Sequence, residues 1–293
     1  MKTGIISIIG PPNVGKSTLL NQLLGQKISI VSPKPQTTRN RITGVVNDGD
    51  SQMVFLDTPG IHKANNPLNR EMVKNALRSL TGVDLIILMI DINFPYPEKL
   101  HNALHELKKS SKPVLLLINK IDLIDKNRLL PIIKIYADFF PFQTLLPISA
   151  KTSEGIGKIK NEIIPFLPEA PPLFPENIPT DLNERFIASE IIREKIFLLT
   201  HQEVPYSTAV IIESFQEEKG NPVNIHATIY LEKKSQKGII IGKNGRMLKK
   251  IGISAREDME KMLGTRVVLD LRVKLKKEWR RNQGFLRELQ ITD

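Results

Sequence analysis

The sequence predicts an α/β domain, with a mostly parallel sheet covered by helices on both faces, followed by a smaller α+β domain. Between Met1 and Leu167, apolar strand-like runs alternate with helix-like stretches, a pattern typical of parallel α/β sheets. Six prolines between Pro165 and Pro179 interrupt this pattern and predict an extended, semi-rigid connector. We therefore expect one domain at residues 1–167, a connector at 168–182 and a second domain at 183–293.

The composition is that of an ordinary globular protein with a large excess of positive charge. Of the 293 residues, 41% are hydrophobic and 25% are charged, and the formal net charge is +11. The absence of cysteine excludes disulfides, thiolate metal sites and cysteine nucleophiles. No apolar run reaches the roughly 18 residues of a membrane-spanning helix, and we expect no signal peptide. The charge indicates a polyanionic partner, either nucleic acid or an anionic membrane surface.

The first predicted strand, residues 5–9, leads into a loop that fits G-x-x-x-x-G-K-[ST], and a helix is predicted from Thr18 onwards. In such a loop, glycines let several backbone N–H groups point at one phosphate chain, and the helix N-terminus adds its positive dipole end. We expect Lys16 to reach the β- and γ-phosphates and the Ser17 hydroxyl to bind Mg²⁺. The predicted phosphate-binding residues are Gly10, Pro11, Pro12, Asn13, Val14, Gly15, Lys16, Ser17 and Thr18.

Further elements of the first domain follow from apolar runs of strand length and from apolar residues at helical spacing. The predicted strands are 42–46, 53–56, 85–90, 114–118 and 144–148, and the predicted helices are 68–80, 100–109, 127–139 and 156–166. Ligands of such folds bind at the carboxyl ends of the strands. The motifs that directly follow these strands are therefore expected to meet at one site.

A polar loop interrupted by prolines, residues 32–39, lies between the first helix and the second strand. A threonine hydroxyl in such a loop can complete the coordination of Mg²⁺ when a γ-phosphate is bound, which orders the loop. We choose Thr38 for this role, with Thr37 as the alternative.

The third strand is followed by Asp57, Thr58, Pro59 and Gly60. A carboxylate at a strand end can hold Mg²⁺ through water, and we assign this role to Asp57. The Gly60 N–H is expected to contact the γ-phosphate, so that loss of this phosphate releases the following segment. The predicted catalytic contacts are thus Lys16, Thr38 and Gly60, and the predicted metal-binding residues are Ser17, Thr38 and Asp57.

The loops after the fifth and sixth strands carry groups that can bind a purine base. The Asp122 carboxylate can accept hydrogen bonds from N1–H and the N2 amino group of guanine, whereas adenine offers neither donor. The Lys120 stem can lie on the base plane, Asn119 can brace the loops, and the Ala150 N–H could donate to guanine O6. The predicted base-binding residues are Asn119, Lys120, Ile121, Asp122, Ser149, Ala150 and Lys151.

Taken in order, these motifs resemble the five motifs of the translation-factor-related GTPases. The resemblance implies an α/β P-loop GTPase domain that binds GTP/GDP and Mg²⁺ and hydrolyses GTP to GDP and phosphate. Many Ras-like GTPases carry a water-orienting glutamine after the Asp-x-x-Gly glycine, where this sequence has Ile61, so we expect a slow intrinsic rate. The resemblance to GTPases with a hydrophobic residue there implies that Asn13 helps to bind a stimulatory K⁺ ion.

The second domain begins with a predicted helix at residues 186–199, where apolar residues recur every three or four positions. Strands at 207–215 and 223–231 follow, and the second of them alternates apolar and polar residues. A helix with an apolar face at 248–262 comes next. The last strand, 267–275, alternates apolar and charged residues.

Within this domain, the sequence Ile-Ile-Gly-Lys-Asn-Gly-Arg contains the pattern Gly-x-x-Gly at Gly242 and Gly245. It resembles the signature of the KH domain, a single-stranded RNA reader whose GXXG loop clamps backbone nucleotides. The glycines let phosphates approach the backbone, Lys243 and Arg246 supply charge, and the isoleucines that end at Ile241 would pack beneath the groove. The predicted order of helix, strand, strand, helix, helix, strand matches an α+β type II KH domain.

The positive charge is concentrated in the same part of the chain. Residues 233–287 contain 17 basic and 5 acidic side chains, a local excess of 12 that is about the net charge of the whole chain. A solvated charged face is the alternative explanation, and Trp279 is either a platform for base stacking or a packing anchor. The candidate RNA-binding residues are Ile241, Gly242, Lys243, Asn244, Gly245, Arg246, Lys249, Lys250, Lys274, Lys276, Lys277, Trp279 and Arg280.

A GTPase domain followed by a type II KH domain resembles the Era-like family of bacterial GTPases over nearly the whole chain. The resemblance implies a cytoplasmic GTPase that binds the 3′ end of small-subunit (16S) ribosomal RNA and assists maturation and assembly of the small (30S) ribosomal subunit. It also implies some peripheral association with the inner membrane, and we expect a monomer. Two alternatives stay open: a membrane-associated signalling GTPase that uses its basic segment on anionic lipid, and a non-catalytic RNA-binding scaffold.

Overall fold

The computed structural model describes residues 1–60, 67–93, 100–218 and 220–292, apart from the side chains of residues 101–103 and 126. The described residues form two compact units. The first contains those within Met1–Ser29, Thr38–Ala64 and Met72–Asp181, and the second contains those within Ile30–Thr37, Asn65–Glu71 and Leu182–Asp293. A short internal segment, Ile30–Thr37, thus belongs to the unit that the C-terminal part of the chain forms.

The first unit is built on a six-stranded sheet. Its strands are β1 (Lys2–Ile9), β2 (Ile42–Asp48), β3 (Ser51–Asp57), β4 (Leu85–Asp91), β5 (Val114–Asn119) and β6 (Thr144–Pro147). Their order is β2-β3-β1-β4-β5-β6; β2 and β3 are antiparallel and the other pairs are parallel. The mostly parallel sheet confirms the fold class that the alternation of strands and helices predicts. Strand β4 is apolar and buried over six of its seven residues, as expected for a strand covered on both faces.

The helices of the N-terminal half lie close to the predicted positions. They are α1 (Lys16–Leu24), α2 (Pro67–Arg78), α3 (His101–Ser110), α4 (Leu129–Phe139) and α5 (Ile156–Ile163). The strands β1, β3 and β5 end at Ile9, Asp57 and Asn119. Because these strands run in the same direction, their carboxyl ends lie at one edge of the sheet, where the predicted motifs begin.

The proline-rich connector is attached to the first unit, and it is not extended throughout, because it turns where the Ile178 N–H donates to the Pro175 carbonyl at 3.1 Å. The side chain of Gln52, which is fully buried, accepts hydrogen bonds from the N–H groups of Leu173 (2.7 Å) and Phe174 (2.9 Å) and donates to the Phe174 carbonyl (2.8 Å). Further along, the Val45 N–H on edge strand β2 donates to the Pro179 carbonyl at 2.8 Å. These bonds satisfy backbone groups that proline-broken segments cannot pair internally.

The second unit is built on a three-stranded sheet. Its strands are β7 (Thr208–Gln216), β8 (Val223–Leu231) and β9 (Val267–Leu275), and its helices are α6 (Glu184–Leu199), α7 (Lys234–Ile241), α8 (Arg246–Leu263) and α9 (Gln283–Glu288). Strand β8 lies in the middle, antiparallel to β7 and parallel to β9. The order from α6 to β9 confirms the predicted type II KH topology, whereas the short helix α9 is not predicted.

The core of the second unit joins helical and alternating apolar residues. Ile192 on α6, Ile225 on β8 and Ile251 on α8 are fully buried in one cluster. Helix α6 begins where the Asn183 side chain accepts a hydrogen bond from the Phe186 N–H at 2.8 Å, which satisfies one of the unpaired donors of the first turn. The three-to-four-residue apolar spacing and this cap together determine where α6 lies and which face it buries.

Candidate nucleotide-binding and RNA-binding sites

The loop between β1 and α1 adopts backbone conformations that favour glycine. Gly10 and Gly15 have φ angles of +150° and +103°. An added Cβ at Gly10 would lie 2.1 Å from the Met89 carbonyl oxygen, and one at Gly15 would lie 2.4 Å from the Asn119 side-chain nitrogen. Helix α1 starts at Lys16, and no described side chain caps its N-terminus. The N–H groups of its first turn can therefore face an anion.

Lys16 lies inside this loop and is only 6% exposed. Its Nζ donates to the carbonyl oxygens of Gly10 (3.1 Å) and Pro11 (2.9 Å). Burial lowers the pKa of Lys16 to about 8, although the nearby Asp57 carboxylate acts in the opposite direction. A phosphate beside this ammonium group would favour its charged form, so nucleotide binding is expected to raise the pKa again.

Three predicted metal-binding residues converge next to Lys16. The Ser17 Oγ lies 2.8 Å from the Thr38 Oγ1 and donates to the Asp57 Oδ2 at 2.6 Å. Asp57 is fully buried, its pKa is raised by burial, and its Oδ1 has no hydrogen-bond partner among the described residues. Oxygen ligands and an unpartnered buried carboxylate oxygen fit Mg²⁺, which these residues would hold together with nucleotide phosphates.

The geometry distinguishes the two candidate threonines. Thr38 is the residue whose hydroxyl lies beside Ser17. The Thr37 hydroxyl instead lies 2.7 Å from the Ser32 Oγ and donates to the Lys34 carbonyl at 2.7 Å. Thr37 therefore stabilises its own loop, and Thr38 is the threonine whose hydroxyl lies beside the predicted metal-binding residue Ser17.

The residues after β3 are held against the phosphate loop. The Thr58 side chain is buried and donates to the Ile8 carbonyl at 2.8 Å, which ties the end of β3 to β1. A Cβ added to Gly60 would lie 2.7 Å from the Pro12 backbone nitrogen, so glycine is needed for this close approach. Pro59 and Gly60 thus lie beside the phosphate loop. The prediction about Ile61 falls on a residue outside the described part of the chain.

The two predicted base-binding loops are joined by side-chain hydrogen bonds. The Asn119 amide donates to the Val14 carbonyl at 2.7 Å and accepts from the Ala150 N–H at 2.8 Å. The Ser149 hydroxyl donates to the Asp122 Oδ1 at 2.6 Å. Asn119 therefore braces the loops as predicted. The Ala150 N–H, which is predicted to contact guanine O6, donates to Asn119 in this structure.

A further residue of this site was not predicted. Lys120 has a left-handed backbone conformation, with φ of 67°, and its Nζ forms an ion pair with Asp91. Asp91 ends strand β4, at the same sheet edge as the motifs. This pair holds the lysine stem that is expected to lie along the base. In the sequence, the position of Asp91 at the end of a predicted strand was the only sign that it belongs to this site. Ile121 starts a short 3₁₀ turn after Lys120, and Lys151 is exposed.

The Gly-x-x-Gly loop joins α7 to α8 with an unusual backbone. Gly242 and Gly245 have φ angles of 71° and 76°, and Asn244 between them has φ of 52°. A Cβ at Gly242 would lie 2.7 Å from the Met247 Cβ, whereas Gly245 faces open space. Lys243, Asn244 and Arg246 are exposed. The loop thus presents backbone and positive charge, as clamping of a phosphodiester requires.

A groove of about 490 Å³ lies beside this loop, between α8 and β9. Its walls are mainly apolar, and Ile253 and Val268 are unusually exposed for apolar residues, at 42% and 53%. Two of the lining residues, Gly245 and Lys249, are among the candidate RNA-binding residues predicted from the sequence. The lining residues that were not predicted are Leu248, Gly252, Ile253, Arg256, Val267, Val268, Leu269 and Leu271.

Trp279 is a packing anchor, and the prediction that it contacts RNA is wrong for this conformation. The side chain is 0% exposed, and its indole N–H donates to the Ser207 carbonyl at 2.8 Å. It packs edge-to-face against Phe285 of α9, with ring centroids 5.9 Å apart. An aromatic side chain with one polar atom is stable in a core when that atom has a hydrogen-bond partner. A base cannot reach the Trp279 ring in this buried position.

The basic residues at the end of β9 and after it do not line the groove. Lys276 Nζ lies 3.8 Å from the ring centroid of Phe285, Arg280 forms an ion pair with Glu232, and Lys274 lies 4.0 Å from Glu213. Ile241 ends α7 and is half-buried, while Lys250 and Lys277 are exposed. RNA contacts by these cations remain predictions, and the groove next to Lys249 is the better-defined surface.

Among the described residues, no helix is both long enough and apolar enough to cross a lipid bilayer.

Comparison with known proteins assigns both units. Residues 5–120 match the family described as 50S ribosome-binding GTPase, and residues 203–280 match the KH domain family. The chain is 51% identical to the GTPase Era of Syntrophus aciditrophicus over 289 residues, which is 98% of this chain and 94% of that protein. It is also 51% identical to the GTPase Era of Geotalea uraniireducens, over 98% of this chain and 97% of that protein.

Two crystal structures resemble the whole chain. One is an Aquifex aeolicus Era variant bound to GDP·AlF₄⁻, with a TM-score of 0.96 and 41% identity over 100% of both chains. The other is Era in complex with MgGDPNP and nucleotides 1506–1542 of 16S ribosomal RNA, with a TM-score of 0.95 and 42% identity over 100% of both chains. With P-loop, guanine and Gly-x-x-Gly motifs in place, and with relatives of this similarity over its full length, the chain belongs to the Era family of GTPases.

Proposed function

We propose that this chain is a GTP-hydrolysing switch that binds the 3′ end of small-subunit ribosomal RNA and assists maturation and assembly of the small ribosomal subunit. The observation that carries the proposal is the combination, in one chain, of a guanine-nucleotide site with a Gly-x-x-Gly loop beside an apolar groove. The Era protein that was crystallised with MgGDPNP and 16S ribosomal RNA nucleotides supports the same pair of ligands.

In the nucleotide site, each group has a defined task. Lys16 and the N–H groups at the start of α1 bind phosphate oxygens, while Ser17 and Asp57 orient Mg²⁺, which neutralises developing charge when it is bound. Thr38, whose hydroxyl lies beside Ser17, adds a further oxygen ligand when a γ-phosphate is present. Asp122 selects guanine, because adenine would leave its carboxylate without donors.

In the proposed RNA site, the glycine loop and the apolar groove bind different parts of the RNA. The glycine loop and Lys243 bind the phosphodiester backbone, which gives affinity with little sequence dependence. Unpaired bases enter the apolar groove over Ile253 and Val268, where Arg256 at the rim can donate to base edges. Single-stranded RNA is favoured over duplex, because paired bases cannot enter such a groove.

The test is a binding titration with an RNA that corresponds to nucleotides 1506–1542 of 16S ribosomal RNA. Charge reversal at the loop and groove, Lys243→Glu with Lys249→Glu, is expected to weaken binding by about tenfold or more, since each lost phosphate contact also removes a favourable release of counterions. Reversal of two exposed lysines of the first unit, Lys108→Glu with Lys158→Glu, is the control with equal net charge. Equal weakening by both variants would show that the groove is not the binding site.

Two assays distinguish the alternatives. Phosphate release from GTP, measured with and without this RNA, separates a GTPase switch from a non-catalytic scaffold. Cosedimentation with anionic vesicles at the same salt concentration separates it from a membrane-associated signalling GTPase, which would bind vesicles more tightly than RNA. The Gly-x-x-Gly groove favours RNA, because it has no purpose in binding a lipid surface.

We further propose that K⁺ stimulates hydrolysis through Asn13, and that the protein is a cytoplasmic monomer with peripheral contact to the inner membrane. The position of Asn13 in the predicted phosphate loop, where its backbone is left-handed with φ of 63°, supports the first proposal. Equal turnover in Na⁺ and K⁺ would refute the first proposal. Sedimentation of the purified protein and fractionation of cells test the others.

A further inference from the structure

One buried hydroxyl at the proposed metal site was not predicted from the sequence. Ser29, in the segment that follows α1, is 2% exposed, and its Oγ donates to the Asp57 Oδ2 at 3.1 Å. The Ser17 hydroxyl donates to the same oxygen at 2.6 Å. All three residues belong to the first unit. The Asp57 carboxylate is therefore held by two serines that come from different parts of the chain.

Ser29 is held in turn by the side chain of Asn21. The Asn21 Oδ1 accepts hydrogen bonds from the N–H groups of Ile28 (3.0 Å) and Ser29 (2.9 Å), and its Nδ2 donates to the Ser29 carbonyl at 2.7 Å. A side-chain amide has both a donor and an acceptor, so it can satisfy both backbone groups of one residue. The backbone of Ser29 is thus fixed at the point from which its hydroxyl reaches Asp57.

Helix α1 connects the two serine contacts. Ser17 and Asn21 are four residues apart on this helix, so their side chains lie on the same face, one above the other. One helix face therefore supplies both a predicted Mg²⁺ ligand and the residue that holds Ser29. Both hydroxyl donors to Asp57 depend on the position of α1, one directly and the other through Asn21.

The two carboxylate oxygens of Asp57 have different surroundings. Oδ2 accepts from both serines, whereas Oδ1 is buried and has no hydrogen-bond partner among the described residues. A buried acceptor without a donor is costly, so such an oxygen indicates a partner that the protein itself does not supply. Mg²⁺ usually keeps several waters when it binds a protein, and a metal-bound water can donate to an ionised carboxylate, which is only an acceptor.

We propose that Ser29 is a positioning residue of the metal site: its hydroxyl fixes the rotation of the Asp57 carboxylate, so that Oδ1 is available to water on Mg²⁺. The proposal rests on the proposed function for the role of Asp57. With Ser17 as the one serine donor, the carboxylate could turn about its terminal bond, because that torsion is soft. A second donor to the same oxygen, from another segment, restricts this rotation. Hydrogen bonds to metal-binding side chains typically change metal affinity by about 10- to 100-fold.

A purely structural role for Ser29 leads to a different expectation. If its hydroxyl only compensates a buried charge, its loss would lower stability and leave the Mg²⁺ dependence of nucleotide binding unchanged. If the hydroxyl positions Asp57, its loss would weaken nucleotide binding mainly when Mg²⁺ is present, because the orientation of Oδ1 matters only to the metal and its waters. Measurements across a range of Mg²⁺ concentrations therefore separate the two roles.

The test measures the affinity of the full chain for a fluorescent GDP at a series of Mg²⁺ concentrations and in excess EDTA. For Ser29→Ala, the Mg²⁺ concentration that gives half of the metal effect is expected to rise by about tenfold, while GDP affinity in EDTA stays within about twofold. Ser29→Cys keeps a weak donor and should give an intermediate value. Asn21→Ala, which releases the Ser29 backbone, should shift the Mg²⁺ dependence in the same direction.

The matched control is Ser79→Ala, which removes another buried hydroxyl of the first unit, one that lies 2.9 Å from the Ser7 Oγ. Both alanine variants should lower the urea midpoint of unfolding, but only Ser29→Ala should change the Mg²⁺ dependence. On an Asp57→Ala background, Ser29→Ala is expected to have no further effect on this dependence, because it acts through Asp57.

An unchanged Mg²⁺ dependence in Ser29→Ala, or an equal change in Ser79→Ala, would overturn the proposal. If Asp57→Ala also leaves the Mg²⁺ dependence unchanged, the proposed metal site is wrong as well, so the two failures can be told apart. If Ser29→Ala does not fold, Ser29→Cys and Asn21→Ala carry the same test. No RNA is used, so failure of the RNA assignment would be seen separately.

Discussion

The Ser17 hydroxyl and the Thr38 hydroxyl lie 2.8 Å apart, although 21 positions separate them in the sequence. Ser17 lies in the first turn of α1, and Thr38 lies in the loop before β2. Their meeting beside the buried Asp57 carboxylate assembles an oxygen-lined position for a hard cation. The proposed Mg²⁺ site is built on this contact between the two hydroxyls.

Removal of the Ser17 hydroxyl tests the proposed metal position. For Ser17→Ala we expect nucleotide affinity to fall by about tenfold or more in the presence of Mg²⁺, since the loss of a bond to a charged partner costs about 1.5–3 kcal/mol. In excess EDTA, the variant and the original protein should bind GDP almost equally. Titration with a fluorescent GDP under both conditions measures the difference. A similar loss with and without Mg²⁺ would indicate that Ser17 acts on the loop rather than on the metal.

Asp122 should determine the choice of base. Asp122→Asn replaces one acceptor oxygen by a donor group, so about 100-fold or more of GTP affinity should be lost as two charge-assisted hydrogen bonds disappear. Xanthosine triphosphate, which has a carbonyl in place of the N2 amino group, should bind the variant better than the original protein. The Asn side chain can still accept from Ser149, so folding should be preserved. Competition titrations measure both affinities, and unchanged GTP binding would refute the assignment.

Nucleotide affinity should depend on pH through Lys16. In the free protein its pKa is lowered to about 8 by burial, and the phosphates of a bound nucleotide should raise it. The bound state then holds more protons than the free state above pH 8, so affinity should fall as pH rises through this range, by at most about tenfold per pH unit. Below pH 7 this group is protonated in both states and contributes no slope.

Calorimetry measures this proton uptake directly. Titrations with GDP at pH 8.5 in two buffers of different ionisation enthalpy should differ in heat by an amount that corresponds to most of one proton. At pH 6.5 the two buffers should give the same heat from this group. Proton release rather than uptake at pH 8.5 would contradict the lowered pKa of Lys16 in the free protein.

Trp279 should matter for stability and little for RNA. Trp279→Phe removes the indole N–H and leaves the buried Ser207 carbonyl without this donor, so the free energy of unfolding should fall by about 1–3 kcal/mol. RNA affinity should stay within about twofold of the original value, because the ring does not face the groove. Urea unfolding and an RNA titration of the same preparation provide both numbers. A large loss of RNA affinity with little change in stability would favour base stacking instead.

Much of the nucleotide site could be predicted because its chemistry requires particular residues at short spacing. Gly10, Gly15, Lys16 and Ser17 must stand in one loop, since one phosphate chain must meet backbone N–H groups, an ammonium and a hydroxyl together. Thr38 is the choice from sequence, and Thr37 stays as the alternative because adjacent threonines have the same chemistry. The structure distinguishes them by the contacts of Thr37 with Ser32 and Lys34.

The groove between α8 and β9 shows the opposite case. Its loop could be recognised from two glycines, but most residues of its walls are ordinary apolar side chains such as Ile253 and Val268, which resemble core residues in a sequence. Only their exposure in the folded chain shows that they belong to a surface. The opposite error concerns Trp279. Its position among cations in the sequence made it a candidate RNA contact, whereas the fold buries its side chain.

From the sequence alone came the order of strands and helices, the phosphate, metal and guanine motifs, and the Gly-x-x-Gly loop, because periodicity and short motifs are local properties of a chain. Tertiary structure decided which distant groups meet: Asp91 with Lys120, Gln52 with the proline-rich connector, and Ser29 with Asp57. Such pairs depend on where whole elements pack, and a single sequence contains no direct record of contacts between residues far apart along it.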